Sequence, residues 1–294
     1  MSSVRRLTNR YFGEESLDWF DRSYLTDWIF VLIIWMLSGV ISVSPVYERK
    51  FSLSDPIINN PQRENQVGSV FNHITALFIP LAIIAVVGAT KCSLLIVNHG
   101  ALGVCLARGL ARLVTVFLKH SVGRLRPDFL SRCSWSESLQ QCTGKAQLII
   151  DGRKSFPSGH SSTAFSGMTF LSLWIAGQTA AWAFGVAKAP GNLRSSRLLL
   201  FFLTLLPLFW ALHVAVTRIQ DYKHHKEDVV VGSLIGIISA VISYYMFWPN
   251  PFSASSFEAS SNGLPRILYA HNHSRSRSMD FELTRTEEDE LNAV

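Results

Sequence analysis

The stretch Ser155–Ser161 (SFPSGHS) decides the fold prediction, because it stands directly before a long, uncharged and largely apolar run that ends at Ala187. If that run is a helix, Ser158 is a suitable N-cap, and the N–H groups of Gly159 and His160 face outward at the positive end of the helix dipole. A phosphate can bind at such a turn, and an imidazole beside it can donate a proton to a leaving oxygen. The stretch therefore predicts an anion site at the end of a membrane-length helix.

The composition indicates a membrane protein, since 48% of the 294 residues are hydrophobic and only 16% are charged. The apolar residues form six runs close to the length that crosses a bilayer. These runs are Trp28–Val43, Val70–Thr90, Cys92–Leu118, Ser161–Ala187, Leu198–Val216 and Val229–Trp248. They predict an all-α fold, a six-helix transmembrane bundle.

The runs divide the chain into three parts. Residues 1–27 contain four Arg residues among acidic ones and no apolar core, so we expect an N-terminal tail without a cleavable signal peptide. Residues 28–248 form the six-span domain. Residues 249–294 are rich in Ser, Asn, Pro and charge, which predicts a disordered C-terminal tail.

An even number of crossings places both termini on one side of the membrane and gathers three loops on the other. These loops are residues 44–69, 119–160 and 217–228, and we expect them to form one active site. The formal charge is +6, yet 13 Lys and Arg residues fall on the three-loop face and 12 on the face with the termini. The charge therefore does not orient the protein, and no basic stripe with interleaved aromatic residues indicates nucleic-acid binding.

Three short clusters of polar residues lie on the three-loop face. They are Lys119–Pro127 (KHSVGRLRP), Pro157–His160 (PSGH) and Arg218–Asp228 (RIQDYKHHKED). Phosphoryl transfer requires cations for the phosphate oxygens, an in-line nucleophile and a proton for the leaving oxygen. We expect Lys119, Arg126 and Arg218 to bind the oxygens, together with the backbone around Ser158 and Gly159.

The catalytic roles fall on two histidines and a carboxylate. His224 and Asp228 are four residues apart, so on a helical turn the carboxylate can fix the imidazole tautomer and leave the other nitrogen free to attack phosphorus. A phosphohistidine would form and water would release it, with His160 first donating and then accepting a proton. One neutral and one charged histidine predict a bell-shaped pH profile. His225 is the rival nucleophile, but the spacing from Arg218 favours His224.

Together the clusters resemble the KxxxxxxRP, PSGH and SRxxxxxHxxxD motifs of the type 2 phosphatidic acid phosphatase superfamily. The six spans and the stretch Gly123–Phe129 (GRLRPDF) are most similar to its lipid phosphate phosphatase branch, which includes the fungal diacylglycerol pyrophosphate phosphatases. The resemblance assigns the same roles to the residues named above. Thr217 stands where the motif has Ser and keeps the hydroxyl, so we expect activity to be retained.

The resemblance implies a metal-independent enzyme without a cofactor that hydrolyses phosphatidate, lysophosphatidate and diacylglycerol pyrophosphate. Its partners would be phospholipid substrates and the bilayer, with the active face lumenal or extracellular and the termini cytosolic. A vacuolar or other endomembrane is expected, with the plasma membrane as the alternative. Two other functions stay open: a phosphatase of sphingoid-base or isoprenoid phosphates, and a non-catalytic lipid-binding or transport protein on the same scaffold. The oligomeric state is open, a homo-oligomer included.

Two pairs of residues each allow more than one interpretation. Cys133 and Cys142 share the long loop and either form a disulfide on an oxidising face or stay reduced. Arg108 and Arg112 lie one turn apart in the third span, where charge is costly. They indicate a helix face directed into the bundle or a wet cavity, where they would contact a headgroup or line the cavity. The alternatives are that their side chains snorkel to the surface or that the helix is simply buried in protein.

Overall fold

The computed structural model describes residues 19–187, 196–257 and 263–269, and most of them are helical. The helices are α1 (Ser23–Ser42), α2 (Ser69–Thr90), α3 (Leu94–Val122), α4 (Phe129–Cys133), α5 (Ala146–Gly152), α6 (Gly159–Thr179), α7 (Arg197–Gln220) and α8 (Lys226–Phe247). A short antiparallel ribbon of β1 (Trp135–Ser136) and β2 (Gln141–Cys142) lies between α4 and α5, and it pairs Trp135 with Cys142. Single 3-10 turns lie at Pro56–Ile58 and Ala254–Phe257.

The six-helix bundle predicted from the apolar runs is confirmed, since each run corresponds to one long helix. Among the described residues, five helices are long and apolar enough to cross a membrane, namely α1, α2, α3, α7 and α8. Helix α6 is the exception, because Ser, Thr and Gly occupy many of its positions.

Helix α6 is the centre of the bundle and packs against α2, α3, α7 and α8. Most of its side chains are buried, including Phe170 and Trp174. Several of its hydroxyl groups form hydrogen bonds within the protein; for example, Ser172 Oγ donates to the Thr204 carbonyl of α7 at 2.6 Å. The helix ends at Thr179, where the next residue is left-handed, and not at Ala187 as the apolar run predicted.

Two glycines hold α8 against the start of α6. A Cβ atom on Gly232 would lie 2.5 Å from the carbonyl oxygen of Ser158, and one on Gly236 would lie 2.7 Å from that of Ser162. The N–H of Ser158 also donates to the carbonyl of Asp228 at 2.8 Å. The first turns of α6 and α8 are therefore fixed relative to each other, as small residues permit at helix interfaces.

The three loops that were expected to share one face contact one another. The N–H of Asn60 donates to the carbonyl of Pro127 at 2.9 Å, which joins the first loop to the second. The side-chain amide of Gln66 donates to the Asp221 carboxylate at 2.7 Å, which joins the first loop to the third. The predicted assembly of one polar face from three loops is thus what the structure shows.

A disulfide joins Cys133 and Cys142, which decides between the two alternatives left by the sequence. It connects the end of α4 to β2 beside a small apolar cluster. In that cluster the ring of Phe51 meets Phe129 at 5.0 Å and Trp135 at 5.9 Å between centroids. The second loop therefore has a core of its own above the bundle.

The chain ends differ from the predicted tails where they are described. Helix α1 begins at Ser23, ahead of the predicted start at Trp28. Residues 263–269 pack on the bundle, where the Tyr269 hydroxyl donates to the Asp27 carboxylate at 3.0 Å and the Tyr269 ring meets Tyr24. The remaining parts of the expected tails, residues 1–18, 258–262 and 270–294, lie outside the described part of the chain.

Candidate active site

A cavity of about 880 Å³ opens where the three loops meet the helix ends. Five of the predicted site residues line it: Lys119, Arg126, Gly159, His160 and His224. The other three, Ser158, Arg218 and Asp228, are buried behind its wall. The structure therefore brings both predicted histidines and two of the three predicted cations to one space.

His224 reaches the cavity from the turn between α7 and α8, and a backbone carbonyl orients its ring. Nδ1 of His224 lies 2.7 Å from the carbonyl oxygen of Ser155. A carbonyl can only accept, so Nδ1 carries the proton and Nε2 of the neutral ring keeps its lone pair. Burial lowers the pKa of His224 well below its usual value, with Arg126 acting in the same direction. These contacts favour a neutral ring with the lone pair on Nε2.

The predicted direct hydrogen bond between Asp228 and His224 is absent from the structure, where Oδ2 lies 3.8 Å from Nδ1. Asp228 instead accepts from Ser155 Oγ at 2.5 Å and from the backbone N–H of His225 at 3.0 Å, and it pairs with Arg124 at 2.7 Å. The four-residue spacing correctly placed Asp228 near His224. It could not reveal that the Ser155 carbonyl, and not Asp228, binds Nδ1 of His224. Asp228 positions the Ser155 segment, and that segment orients His224.

The rival histidine, His225, occupies a different place. It does not line the cavity, and its Nδ1 lies 3.3 Å from the Asp228 carboxylate at the start of α8. Its backbone N–H is one of the donors to that carboxylate. The geometry therefore favours His224 over His225 as the group that meets a substrate.

His160 lies at the first turn of α6 with its ring in the cavity wall. Ser158 caps the helix, as predicted, with its hydroxyl oxygen 3.4 Å from the N–H of Ser161. The Asn72 side chain of α2 donates to the carbonyl of His160 at 3.0 Å. Within the described part of the chain, the His160 ring has no hydrogen-bond partner, and its Nε2 is buried. The ring is placed to exchange a proton with a bound molecule.

Lys119 and Arg126 come from the end of α3 and the turn that follows it. Gly123 ends α3 in the left-handed conformation with φ of 58°, and a side chain there would collide with the backbone of Tyr47. Lys119 Nζ donates to the Lys154 carbonyl at 2.6 Å and has two further protons to give. Arg126 donates through Nε and one terminal nitrogen to Asp151, which leaves the other terminal nitrogen for an anion.

Arg218 is the one predicted phosphate-binding cation that does not line the cavity. Its guanidinium is fully buried and donates to Asn65 at 2.9 Å and to Asp221 at 2.9 Å. It also donates to the hydroxyl of Thr217 at 2.9 Å. Thr217 thus supplies the hydroxyl contact that a Ser would supply, and a direct role of Arg218 in phosphate binding stays a prediction.

Sequence reasoning missed an ion network along one side of the cavity. Lys223 pairs with Asp128 at 3.2 Å, Asp128 with Arg132 at 2.8 Å, and Arg132 with Asp151 at 2.7 Å. Burial raises the pKa of Asp151, but Arg126 and Arg132 outweigh it and leave that pKa below its usual value. The four-residue spacing of Asp128 and Arg132 was the one available signal. The network adds Lys223 and Arg132 to the cations of the wall.

The two arginines of α3 confirm the prediction that this helix face is directed inward. Arg108 is buried and contacts α6, while Arg112 lines the cavity. Within the described ranges, no group of three or more His, Cys, Asp or Glu side chains is arranged to hold a metal ion.

The fold and the site define a class of membrane phosphatase. Residues 100–252 match the PAP2 superfamily, and the chain belongs to that superfamily. It is 30% identical over 277 residues to "Lipid phosphate phosphatase 1" of Arabidopsis thaliana, an alignment that covers 88% of this chain and 81% of the relative.

Fungal relatives are similarly close. The chain is 30% identical over 240 residues to "Diacylglycerol pyrophosphate phosphatase 1" of Saccharomyces cerevisiae, covering 76% of this chain and 80% of the relative. It is 34% identical over 215 residues to "Probable diacylglycerol pyrophosphate phosphatase 1" of Schizosaccharomyces pombe, covering 69% and 73%. No solved structure matches the chain.

Proposed function

We propose that the protein is a metal-independent lipid phosphatase that hydrolyses phosphatidate, lysophosphatidate and diacylglycerol pyrophosphate through a phosphohistidine on His224. One observation carries the proposal: the Ser155 carbonyl fixes the proton of His224 on Nδ1 and leaves the Nε2 lone pair free on a ring that lines a cavity walled by cations. A neutral imidazole nitrogen facing a site for phosphate is the arrangement that nucleophilic catalysis requires.

In the first step Nε2 of His224 attacks phosphorus and the bond from phosphorus to the leaving oxygen breaks. Lys119, Arg126 and the N–H groups at the start of α6 stabilise the equatorial oxygens as their charge develops. Burial and the neighbouring cations lower the pKa of His160, and the negative charge of a bound phosphate opposes them. In its protonated form His160 gives its proton to the leaving oxygen, so phosphatidate releases diacylglycerol. The phosphoryl group is then bonded to Nε2, and His224 carries the added positive charge close to Asp228.

In the second step water attacks the phosphohistidine from the side that the leaving group has vacated. His160, now neutral, takes one proton from that water, and the bond from phosphorus to Nε2 breaks. Inorganic phosphate leaves, His224 returns to its neutral form and His160 is protonated again. The two histidines therefore end the cycle as they began it.

Lipids are the favoured substrates because of where the site lies. The cavity is at the ends of helices that are apolar enough to cross a membrane, so a headgroup can reach it while its acyl chains stay in the bilayer. The names of the plant and fungal relatives, lipid phosphate phosphatase and diacylglycerol pyrophosphate phosphatase, point to the same substrates.

The disulfide supports a lumenal or extracellular position for the active face. Disulfides persist in oxidising compartments, and Cys133 and Cys142 lie in the loop that supplies Arg126. The termini would then be cytosolic, in a vacuolar or other endomembrane or in the plasma membrane. Labelling of sealed vesicles tests the orientation: a membrane-impermeant maleimide should reach the partly exposed Cys142 only from the lumenal or outer side, and only after reduction.

The experiment that tests the function measures phosphate release from phosphatidate and diacylglycerol pyrophosphate in mixed micelles with excess chelator. We expect release by the natural protein and a loss of at least about 10³-fold in His224→Ala, as for other catalytic nucleophiles. His225→Ala is the matched control, a histidine removed from the same turn but outside the cavity wall, and should retain at least about a tenth of the activity. A phosphoenzyme that is labile to acid and stable to alkali should form only when His224 is present. A requirement for added magnesium, or full activity of His224→Ala, would overturn the proposal.

A further inference from the structure

A second group of cationic and donor side chains lies deeper in the bundle than the proposed catalytic site. Arg108 of α3 donates to the carbonyl of Thr163 at 3.1 Å and to Ser166 Oγ at 3.0 Å. Its other terminal nitrogen lies 3.0 Å from Nδ1 of His73. Arg112, one turn further along α3, donates through Nε to Ser38 Oγ at 3.0 Å.

This group carries positive charge that no carboxylate of the described residues balances by direct contact. Neither Arg108 nor Arg112 has an acidic partner within 4.0 Å among the described residues. Arg108 is 1% exposed and its Nε has no hydrogen-bond partner in the described part of the chain. An unbalanced charge in a membrane bundle is costly unless an anion or water accompanies it. The excess of charge therefore favours an anionic ligand close to Arg108 and Arg112.

The hydrogen-bond pattern directs donors from this group toward the cavity. A guanidinium can only donate, so Nδ1 of His73 must accept from Arg108 and Nε2 of the neutral ring carries the proton. His73 and Arg112 both line the cavity. The two terminal nitrogens of Arg112 are not used by Ser38, which binds Nε. An anion between His73 and Arg112 would thus meet a ring N–H and the fork of a guanidinium.

The group lies on the His160 side of the cavity. His73 follows Asn72, whose side chain binds the carbonyl of His160. Arg112 is on the same face of α3 as Lys119, two turns away from the proposed phosphate ligand and about 10 Å deeper. None of the contacts of His73 or Arg112 involves the turn that carries His224. In an in-line attack by His224, the leaving group departs toward His160 and hence toward this group.

We propose that Arg112 and His73, backed by Arg108, form a second anion subsite that binds the inner phosphate of diacylglycerol pyrophosphate. The assignment rests on the proposed function, since it concerns the leaving group of that reaction. When Nε2 of His224 attacks the outer phosphorus, the bond to the bridging oxygen breaks and that oxygen stays on the inner phosphate. Negative charge develops on the inner phosphate as the bond to the bridging oxygen breaks, and Arg112 and the His73 N–H stabilise it until His160 gives its proton to that oxygen. Phosphatidate places its uncharged diacylglycerol part in the same position, so the subsite stabilises its leaving group less.

The test compares kcat/KM for diacylglycerol pyrophosphate and phosphatidate in Arg112→Gln. We expect the ratio of the two values to fall at least tenfold, because one charged partner of the inner phosphate is removed. His73→Ala should lower the ratio in the same direction by a smaller factor. Arg112→Lys keeps the charge but loses the paired donors of the guanidinium, so its ratio of kcat/KM values should lie between those of Arg112→Gln and the natural protein. Lys50→Gln is the control, since it removes one positive charge from the three-loop face outside this cavity and should leave the ratio unchanged.

A second measurement separates binding from the chemical step. Inorganic pyrophosphate and inorganic phosphate are used as inhibitors of phosphatidate hydrolysis, and Arg112→Gln should weaken inhibition by pyrophosphate at least fivefold more than inhibition by phosphate. The proposed subsite would be wrong if Arg112→Gln left the ratio of kcat/KM values for the two lipids unchanged and weakened inhibition by pyrophosphate and by phosphate equally. If the natural protein hydrolyses neither lipid, the proposed function itself fails. Elution as a monodisperse species and an unchanged Tm establish that each variant is folded.

Discussion

The substitution Asp228→Asn tests the negative charge near His224, because it removes that charge with little change in side-chain shape. Asn has nearly the shape of Asp and can still accept from Ser155 Oγ, so the segment that orients His224 is retained. His224 becomes positive when Nε2 attacks phosphorus, and Asp228 Oδ2 lies 3.8 Å from its Nδ1. At an effective dielectric constant of about 20, two unit charges at that distance interact by about 4 kcal/mol. Since about 1.4 kcal/mol is a factor of ten, the loss of kcat should approach but not exceed about 10³-fold.

The assay is steady-state phosphate release from phosphatidate, with Tm measured in the same detergent. Glu227→Gln is the matched control, because Glu227 pairs with the same Arg124 at 3.1 Å but is exposed and does not contact the Ser155 segment. It should change kcat less than twofold. Activity of Asp228→Asn within tenfold of the natural protein, or an equal loss in Glu227→Gln, would refute the reasoning that Asp228 stabilises the charged imidazole.

Three further predictions follow from the same contacts. Ser155→Ala removes the hydroxyl bound to Asp228 but keeps the carbonyl bound to His224, so urea unfolding in detergent should show a loss of about 2 kcal/mol while kcat falls less than tenfold. Burial lowers the pKa of His224. The pKa that governs the fall of kcat/KM at acidic pH should therefore lie below the usual histidine value of about 6.5, and it should be the same for two different substrates because it belongs to the free enzyme. The unfolded chain protonates His224 at a higher pH than the folded protein does. The free energy of unfolding should therefore decrease as the pH falls from about 6.5 toward the pKa of His224 in the folded protein, and thermal unfolding across that range can detect the decrease. Gly232→Ala places a Cβ 2.5 Å from the Ser158 carbonyl and should lower both Tm and kcat. Gly39→Ala, a helical position with nothing within 4 Å, should leave kcat unchanged and should not lower Tm.

The architecture and half of the site could be predicted because they depend on local pattern. Apolar runs of membrane length identify helices whatever their neighbours, and Ser158 through His160 form one turn whose cap and free N–H groups are set by adjacent residues. Lys119 and His224 could be placed on one face because an even number of spans gathers the three loops.

The rest depends on contacts that carry no sequence signal. A backbone carbonyl orients His224, and any residue at position 155 would supply one, so the pattern pointed to the four-residue spacing of Asp228 instead. Arg218 was expected at the phosphate but is held by Asn65 and Asp221, which only the fold brings near it. The end of α6 was placed too late because an uncharged run does not reveal a left-handed residue at Ala180.

The polar character of α6 has a consequence for how the protein is made. Helix α6 lacks the hydropathy that the five other long helices have, yet it must reach the middle of the bundle. During synthesis it leaves the ribosome before α7 and α8, the two helices against which it makes its most extensive contacts. Until they follow, hydroxyl groups such as that of Ser172, which donates to the Thr204 carbonyl of α7, lack their partners on these two helices. Stable integration of α6 is therefore expected only once α7 and α8 have been translated, and a chain truncated after Thr179 should fail to retain it in the membrane.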